Sequence, residues 1–148
     1  NLWATWCGPC REEMPALAQF AMQQEGTGIE LVTITVDEEL ATARQALDVL
    51  FAADEELSGK LKPGDVPFVV LHDPDLRVTK EMFGTTKYPE TWIIDPKGFI
   101  RARYDGARDW SGSLALDAIT STQRGSGCLA EFQDGKPVGR YARLCDSQ

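Results

Sequence analysis

The chain has 148 residues, of which 43% are hydrophobic and 26% charged, and its net charge at pH 7 is −8. These values indicate one globular domain of ordinary size and exclude collagen, a long coiled coil and wholesale disorder. The acidic balance argues against nucleic acid and anionic lipid as partners, because binding to phosphates needs a basic surface. A single histidine, His72, leaves little room for a histidine-rich metal site.

The first half of the chain predicts alternating strands and helices. Residues 2–4 indicate the end of a buried strand. A helix begins at Gly8 and Pro9, where the missing N–H of proline costs nothing, and Pro15 is expected to kink it. Apolar and β-branched patterns then predict a strand at 29–36, a helix at 38–54, a loop at 58–65 and a strand at 66–71. The acidic run at 37–39 is interpreted as the start of the second helix, where negative charge complements the helix dipole.

The second half predicts more strands than helices. The elements are, in order, a helix at 76–83, strands at 90–94 and 99–104 joined by a tight turn at 95–98, and a helix at 111–120. Gly84 suits the C-cap of the first of these helices, and Ser111 suits the N-cap of the last. This order of elements indicates a mixed α/β sandwich with helices on both faces of a sheet.

The C-terminal tail has a different character. Residues 121–127 are polar and rich in Gly and Ser, as in a linker. The apolar runs at 128–133 and 138–144 are expected to pair as a hairpin. We therefore predict a main domain at residues 1–122 and a C-terminal extension at residues 123–148.

Neither a targeting signal nor a membrane span is recognisable in the sequence. No run of about 18 apolar residues is present, and no signal peptide pattern is found. The chain opens with Asn1 at the start of an apolar run. We therefore expect that a targeting segment and the first structural elements lie outside this sequence.

The motif that carries chemistry is Trp6-Cys7-Gly8-Pro9-Cys10, which follows a predicted strand and opens a predicted helix. Two thiols at this spacing close a small disulfide ring and reopen it by exchange. Cys7 lies at the helix N-terminus, where free N–H groups and the macrodipole favour an anion, so its thiol should be unusually acidic. Cys10 lies one turn further along and should be more buried. We expect Cys7 to attack a substrate disulfide and Cys10 to resolve the mixed disulfide.

A structural disulfide or half of a zinc site is the alternative interpretation of this motif. Zinc needs four ligands, and the other two cysteines, Cys128 and Cys145, lie in the distant tail without close spacing. We predict no metal site. Cys128 and Cys145 are instead expected to form a structural disulfide that closes a loop of about 16 residues and stabilises the tail by roughly 3 kcal/mol. A second redox pair, or a free thiol that meets a partner, is the alternative there.

The segment from Asn1 to Pro15 resembles the active-site segment of the thioredoxin superfamily, and it is most similar to the TlpA, ResA and CcmG (DsbE) proteins. These are bacterial thiol–disulfide oxidoreductases, many of which keep the haem-site thiols of apocytochrome c reduced. The resemblance extends to about residue 120. It implies a thioredoxin-like three-layer sandwich with its N-terminal elements missing, in the periplasm or another extracytoplasmic compartment, with membrane contact only through a segment outside this chain.

The resemblance also implies roles for residues outside the cysteine pair. Glu13 matches an acidic residue that tunes the cysteines and assists proton transfer in that branch. Tyr88 and Pro89 resemble the cis-proline loop, whose backbone pairs with a substrate strand. Together with Trp6, Gly8 and Pro9, they are the predicted substrate-binding residues. Asn1 stands where cytoplasmic thioredoxins carry a buried acid, and the periplasmic branch often has an amide there.

The resulting hypothesis is a protein-disulfide reductase whose electrons are carried by Cys7 and Cys10 without a cofactor. Its expected partners are client proteins with disulfides or thiols and an upstream thiol electron donor. A Gly-Pro pair between the cysteines resembles that of reducing family members. The alternatives are a thioredoxin-like peroxidase, a copper-delivery protein and a non-catalytic binding module. Peroxidases use a lone cysteine, and copper carriers space their cysteines by three residues, unlike this motif.

Overall fold

The fold was examined in a computed structural model, which describes residues 1–112, 116, 119–120, 130–133 and 136–138. The strands in these residues are β1 (Leu2–Trp3), β2 (Val32–Thr35), β3 (Val69–His72), β4 (Glu90–Ile94), β5 (Ile100–Asp105), β6 (Ala130–Gln133) and β7 (Lys136–Val138). The α-helices of this part are α1 (Gly8–Gln23), α2 (Leu40–Ala53) and α3 (Glu55–Ser58), and a π-helix spans Arg77–Met82. Within the described ranges, no helix is long and apolar enough to cross a bilayer.

The strands form one mixed sheet in the order β3-β2-β1-β4-β5-β6-β7. Strands β1, β2 and β3 are parallel, whereas β4 runs antiparallel to β1 and to β5. The carboxyl ends of the three parallel strands therefore lie at the same edge of the sheet as the amino end of β4. That edge brings together the segments that follow Trp3, Thr35 and His72 and the segment that precedes Glu90.

Helical segments cover both faces of the sheet, as predicted. Side chains alternate along β4. The Thr91 hydroxyl accepts a hydrogen bond from the Asn1 amide, which also contacts Glu13 of α1. On the opposite face Trp92 packs against Phe83, which follows the π-helix, with ring centroids 5.2 Å apart. Helix α1 also contacts α2 and α3, in keeping with right-handed crossovers that place α1 and α2 on one face.

The core is built from large apolar side chains of β1, α1, α2 and α3. The wholly or almost wholly buried members are Trp3, Met14, Leu17, Leu47 and Leu57. Burial of one such side chain stabilises the fold by about 1.5–3 kcal/mol. The helical spacing of these residues in the sequence is what turns them toward the sheet.

Several boundaries differ from the predicted ones for identifiable reasons. Helix α2 begins at Leu40, and its first turn holds no acidic residue, so the run at 37–39 precedes the helix rather than starting it. Helix α3 was missed, and it forms because the Asp54 carboxylate caps it by accepting bonds from two main-chain N–H groups. The predicted helix at 76–83 is a π-helix preceded by Leu76 in the left-handed region, at φ 58°.

The predicted C-terminal hairpin is present in outline. Strand β6 pairs antiparallel with β7 and parallel with β5. Strand β7 begins at Lys136, two residues earlier than the predicted second strand, and Gln133 pairs with Lys136. Cys128 and Cys145 and the linker at 121–127 lie outside the described residues, so their disulfide and the division into 1–122 and 123–148 stay predictions.

Candidate functional site

The cysteine pair lies at the sheet edge defined above, where β1 leads into α1. Cys7 and Cys10 form a disulfide with an S–S distance of 2.06 Å. Cys7 is the N-cap of α1, and its sulfur accepts a hydrogen bond from the Cys10 main-chain N–H at 3.2 Å. This geometry follows from the sequence, because Pro9 lies in the first turn of the helix, where its missing N–H leaves no bond unmade.

The two sulfurs differ in how a partner can reach them. Cys10 is fully buried, whereas Cys7 keeps 8% of its surface exposed, so Cys7 is the sulfur that a partner can reach. Gly8 and Pro9 between them are exposed, and the space beside the Gly8 α-carbon is open. A helix N-terminus is a position where the helix dipole and free N–H groups stabilise negative charge, which suits a cysteine that reacts as a thiolate.

Two aromatic side chains, Trp6 directly before Cys7 and Tyr88, pack against each other. Trp6 is 68% exposed, and its ring meets that of Tyr88 edge-on with centroids 5.9 Å apart. The peptide bond between Tyr88 and Pro89 is cis, as predicted. Both aromatic rings line a groove of about 570 Å³, whose remaining walls are Val36, Asp37, Glu38, Glu39, Thr42, Pro74 and Leu76.

Glu13 is buried within a network of three hydrogen-bond donors. Its side chain lies on α1 three residues after Cys10, which places the two residues on one side of the helix. One carboxylate oxygen accepts a bond from the Asn1 amide at 2.7 Å. The other accepts bonds from the main-chain N–H of Arg108 and the indole N–H of Trp110, both at 3.1 Å.

Burial decides the ionisation of Glu13. Only 2% of the residue is exposed, and this desolvation raises its pKa above the ordinary value of 4.5, although the three hydrogen bonds pull in the opposite direction. A carboxyl group with a raised pKa holds and releases protons closer to neutral pH than an exposed one. Glu13 is therefore suited to exchange a proton with a neighbouring thiol.

Asp37 ties the cysteine loop to the sheet. It follows β2, and its carboxylate accepts bonds from both the main-chain N–H and the hydroxyl of Thr5, at 3.1 and 2.6 Å. The Thr35 hydroxyl donates a further bond at 2.6 Å, and the ring of His72 contacts the Asp37 carbonyl oxygen at 2.7 Å. Asp37 thus joins three neighbouring segments at the edge that carries the cysteines.

A second buried glutamate, Glu90, lies directly after Pro89. It forms an ion pair with Arg103 at 2.5 Å and accepts hydrogen bonds from the Thr85 hydroxyl and from the indole N–H of Trp92. Desolvation raises the pKa of Glu90, against the pull of these partners. Arg103 also lies over the Trp92 ring, 5.3 Å from its centroid.

The sequence did not predict the hydrogen-bond partners of the buried carboxylates. Arg108 and Trp110 lie more than 90 residues from Glu13 in the chain, so no local pattern links them. The sequence could have indicated Asp37 as a site residue, because a polar residue directly after a buried parallel strand lies at the sheet edge where binding sites form. In the part of the chain that the structure describes, no three His, Cys, Asp or Glu side chains are grouped to hold a metal ion.

Comparisons with known proteins agree with this geometry. The model of the AhpC/TSA family matches residues 1–103. A thiol-disulfide oxidoreductase ResA of Oceanobacillus iheyensis is 30% identical over 119 residues, which is 80% of this chain and 51% of that protein. A thiol:disulfide interchange protein DsbE of Allochromatium vinosum is 28% identical over 137 residues, which is 93% of this chain and 62% of that protein. The chain thus spans about half to three-fifths of the length of these relatives.

A solved structure gives the same answer for the fold. A Chlorobium tepidum protein, described as a thiol:disulfide interchange protein DsbE, superposes with a TM-score of 0.62 at 25% identity, over 82% of this chain and 75% of that one. This likeness and the family match confirm the predicted thioredoxin-like fold.

Proposed function

The chain belongs to the AhpC/TSA family, and from this membership we propose that it is a thiol–disulfide oxidoreductase that reduces disulfides in client proteins. The observation that carries the proposal is the Cys7–Cys10 disulfide at the N-terminus of α1, with one sulfur reachable and the other buried. Such asymmetry suits a pair in which one thiol attacks and the other resolves. The electrons reside in the two cysteines, so the reaction requires no further cofactor.

The first step takes place at Cys7 of the reduced protein. Its thiolate attacks one sulfur of a client disulfide, forming a Cys7–client disulfide and releasing the other client sulfur as a thiolate. The N-terminus of α1 and the Cys10 N–H, which meets the Cys7 sulfur at 3.2 Å, stabilise the attacking thiolate. The released client thiolate takes a proton from solvent.

Cys10 completes the reaction from inside the fold. Its thiol loses a proton, attacks the Cys7 sulfur, forms the Cys7–Cys10 disulfide and expels the second client thiolate. The client gains two electrons and the protein loses two. Glu13, on the same side of α1 and with a raised pKa, is proposed to accept the proton of Cys10.

The groove between Trp6 and Tyr88 is the proposed client-binding surface. An extended client segment that lies there brings its disulfide over Cys7, and the main chain of Tyr88 pairs with it as an added strand. Leu76 and Val36 supply apolar surface within the groove, and Gly8 and Pro9 leave room above the disulfide. The exposed carboxylates of Glu38 and Glu39 at the rim favour basic residues beside the client cysteine.

The names of the relatives suggest the setting in which the protein works. We propose extracytoplasmic clients, with apocytochrome c thiols as one example, and an upstream thiol donor that reduces Cys7–Cys10 after each turnover. Residues 1–122 are proposed to hold the whole exchange site, and residues 123–148 to form an extension with a Cys128–Cys145 disulfide.

Reduction of insulin disulfides in the presence of dithiothreitol tests the proposal. We expect Cys7→Ser to abolish catalysis. Reduced Cys10→Ser, mixed with insulin after the dithiothreitol has been removed, should accumulate a mixed disulfide on Cys7, visible as a client adduct by mass spectrometry. Catalysis that survives Cys7→Ser would refute the assignment. Turnover of hydrogen peroxide without insulin reduction would favour the peroxidase alternative instead.

A matched pair of variants tests the groove. Trp6 and Val49 are exposed to a similar extent, 68% and 63%, but Val49 lies on α2 and does not line the groove. Trp6→Ala should raise KM for insulin, whereas Val49→Ala should leave it unchanged. Equal KM values for the two variants would contradict the proposed binding surface.

A further inference from the structure

The two residues before Cys7 form a turn that carries the reactive sulfur. The main-chain N–H of Cys7 donates to the Ala4 carbonyl at 3.2 Å, which closes a turn over Thr5 and Trp6. The turn lies between β1 and the first residue of α1, so its conformation sets where the Cys7 sulfur stands relative to the helix N-terminus. The Trp6 side chain is exposed, and its ring meets the Tyr88 ring edge-on.

Asp37 holds this turn by its first residue. The main-chain N–H of Thr5 meets both carboxylate oxygens of Asp37 at 3.1 Å, and the Thr5 hydroxyl donates to one of them at 2.6 Å. Bonds to a carboxylate are about twice as strong as bonds between neutral groups. Asp37 itself is only 5% exposed, so water competes weakly for these bonds.

The anchor is itself fixed from the opposite side. The Thr35 hydroxyl donates to the second carboxylate oxygen, and the Asp37 N–H donates back to the same hydroxyl. The His72 ring holds the Asp37 carbonyl oxygen, which joins β3 to the end of β2. The Asp37 carboxylate is therefore bound between the rigid sheet on one side and the cysteine turn on the other.

We propose that Asp37 is a positioning residue for exchange at Cys7, because through Thr5 it fixes the turn that places the sulfur on the helix N-terminus. This inference rests on the proposed exchange reaction at Cys7 and adds to it a residue that touches neither the sulfur nor the client. The ionisable groups of the elements around the turn include Asp37, Glu38 and Glu39 before α2 and Tyr88 before β4. They also include His72 at the end of β3 and Arg11, Glu12 and Glu13 of α1.

Position and charge have opposite effects, which makes the inference testable. If Asp37 acts by position, its removal loosens the turn, weakens the contact of the Cys7 sulfur with the helix N-terminus and makes the thiolate less stable. If it acts only as a nearby negative charge, its removal makes the thiolate more stable. The rate at which the Cys7 thiol is alkylated, measured against pH, distinguishes the two.

The experiment uses the reduced 148-residue chain and iodoacetamide, with the Cys7 peptide quantified by mass spectrometry. We expect Asp37→Ala to slow alkylation at pH 7 by about threefold to tenfold and to move the midpoint of its pH profile upward. Thr5→Val, which removes only the hydroxyl bond, should act in the same direction by about twofold. Unchanged or faster alkylation in both variants would overturn the inference.

Thr33→Val is the matched control. Thr33 lies on β2 and is wholly buried, but its hydroxyl donates to the Val69 carbonyl at 3.2 Å and not to Asp37. This variant should lower the unfolding temperature as Thr5→Val does and leave the alkylation profile unchanged. An equal change of the profile in both threonine variants would reduce Asp37 to a structural residue. If Asp37→Ala does not fold, the two threonine variants still test the proposal, because both keep the Asp37 carboxylate. Because alkylation involves no client, failure of insulin reduction by the unaltered chain would count against the proposed function alone.

Discussion

Two glutamates of this protein are equally buried, yet their surroundings differ in one decisive respect. Glu13 and Glu90 are 2% and 1% exposed and lie on opposite sides of the sheet. The donors to Glu13 are an amide, a main-chain N–H and an indole, all of them neutral. The Asn1 amino group attracts Glu13 at longer range and donates its own hydrogen bond to the Val32 carbonyl. Glu90 forms an ion pair with Arg103, in addition to bonds from Thr85 and Trp92.

The difference shows how one residue type serves two purposes. The Arg103 guanidinium at 2.5 Å favours the charged form of Glu90 against the burial that raises its pKa, and the pair joins β4 to β5 beside the cis-proline loop. Neutral donors stabilise the charged form of Glu13 less than a cation would. Protonation of Glu13 therefore requires less free energy than protonation of a carboxylate in an ion pair. We infer that Glu90 stabilises the fold, and we propose that Glu13 exchanges protons with the cysteines.

Removal of Arg103 should have the largest effect on stability. Arg103→Met leaves the Glu90 charge buried without its cation, and we expect the free energy of unfolding in urea to fall by about 3 kcal/mol. The control is Lys60→Met, which breaks the exposed Lys60–Glu56 pair at 2.6 Å and should cost less than about 1 kcal/mol. Similar losses in the two variants would mean that burial does not distinguish these pairs.

Replacement of Glu13 should instead affect the reaction. We expect Glu13→Gln to slow insulin reduction at pH 7 by about 10²-fold, the usual order for loss of an acid–base group. Stability should change by less than about 1 kcal/mol, because the glutamine oxygen still serves Arg108 and Trp110, while its NH₂ group meets the Asn1 carbonyl oxygen once that amide turns over. That oxygen is buried without a hydrogen-bond partner at present.

The matched control is Glu90→Gln on the opposite side of the sheet. It should destabilise the protein and leave the rate of insulin reduction by the folded fraction within about twofold. Our comparison would fail if Glu90→Gln slowed the reaction as much as Glu13→Gln.

The free energy of unfolding should change with pH in a way that reports the titration of Glu13. Because burial raises the pKa of Glu13 in the folded state above 4.5, the folded protein binds the proton more tightly than the unfolded chain. The stability that this provides is complete below about pH 4.5 and is lost as the pH rises through the raised pKa. We therefore expect the unfolding free energy of the unaltered chain, relative to Glu13→Gln, to decrease from pH 4 to pH 7, by about 1.4 kcal/mol for each unit by which folding raises that pKa.

Urea titrations at a series of pH values measure this difference. Glu90 is present in both chains, so its own contribution cancels. A constant difference would show that folding leaves the pKa of Glu13 unchanged, and a difference that grows with pH would show that folding lowers it. Either result would contradict the comparison.

The smallest effects should come from single hydrogen bonds next to each glutamate. Thr91→Val removes an acceptor of the Asn1 amide, and Trp92→Phe removes a donor to Glu90. Each should lower the free energy of unfolding by about 1 kcal/mol. Only Thr91→Val should also shift the pH optimum of insulin reduction, because Asn1 is a donor to Glu13. A shift of the same size in Trp92→Phe would erase the distinction between the two networks.

Much of the site was predictable because its signals are local. A cysteine before Gly-Pro at a helix start indicates an N-cap sulfur at the helix end, and the second cysteine, one turn later, is the more deeply buried of the two. The turn at 95–98, where Gly98 has a φ of 84°, was also within reach of a short pattern, whereas the cis bond before Pro89 was expected only from the family resemblance. The catalytic and binding roles of these residues stay proposals.

The prediction was least accurate where distant groups compete for a short segment. The acidic run at 37–39 has the composition of a helix start, but Asp37 is bound by Thr5 and Thr35 instead. The strand predicted at 66–71 forms at Val69–His72, because its partner β2 fixes the register through the pair Thr35 and His72. In both places, contacts with distant residues determined the structure in place of the local sequence pattern.

The sequence by itself determined the order of strands and helices, the cysteine pair at the start of α1 and the acidity of the whole chain, because periodicity, capping and charge depend on neighbouring residues. Only the tertiary structure decided which carboxylates are buried and what each one faces. Glu13 meets Arg108 and Trp110 across 95 and 97 residues of chain, and those bonds exist only after the sheet has closed around them. The free energy of a buried charge depends on the groups within a few ångströms of it, and packing alone brings those groups together.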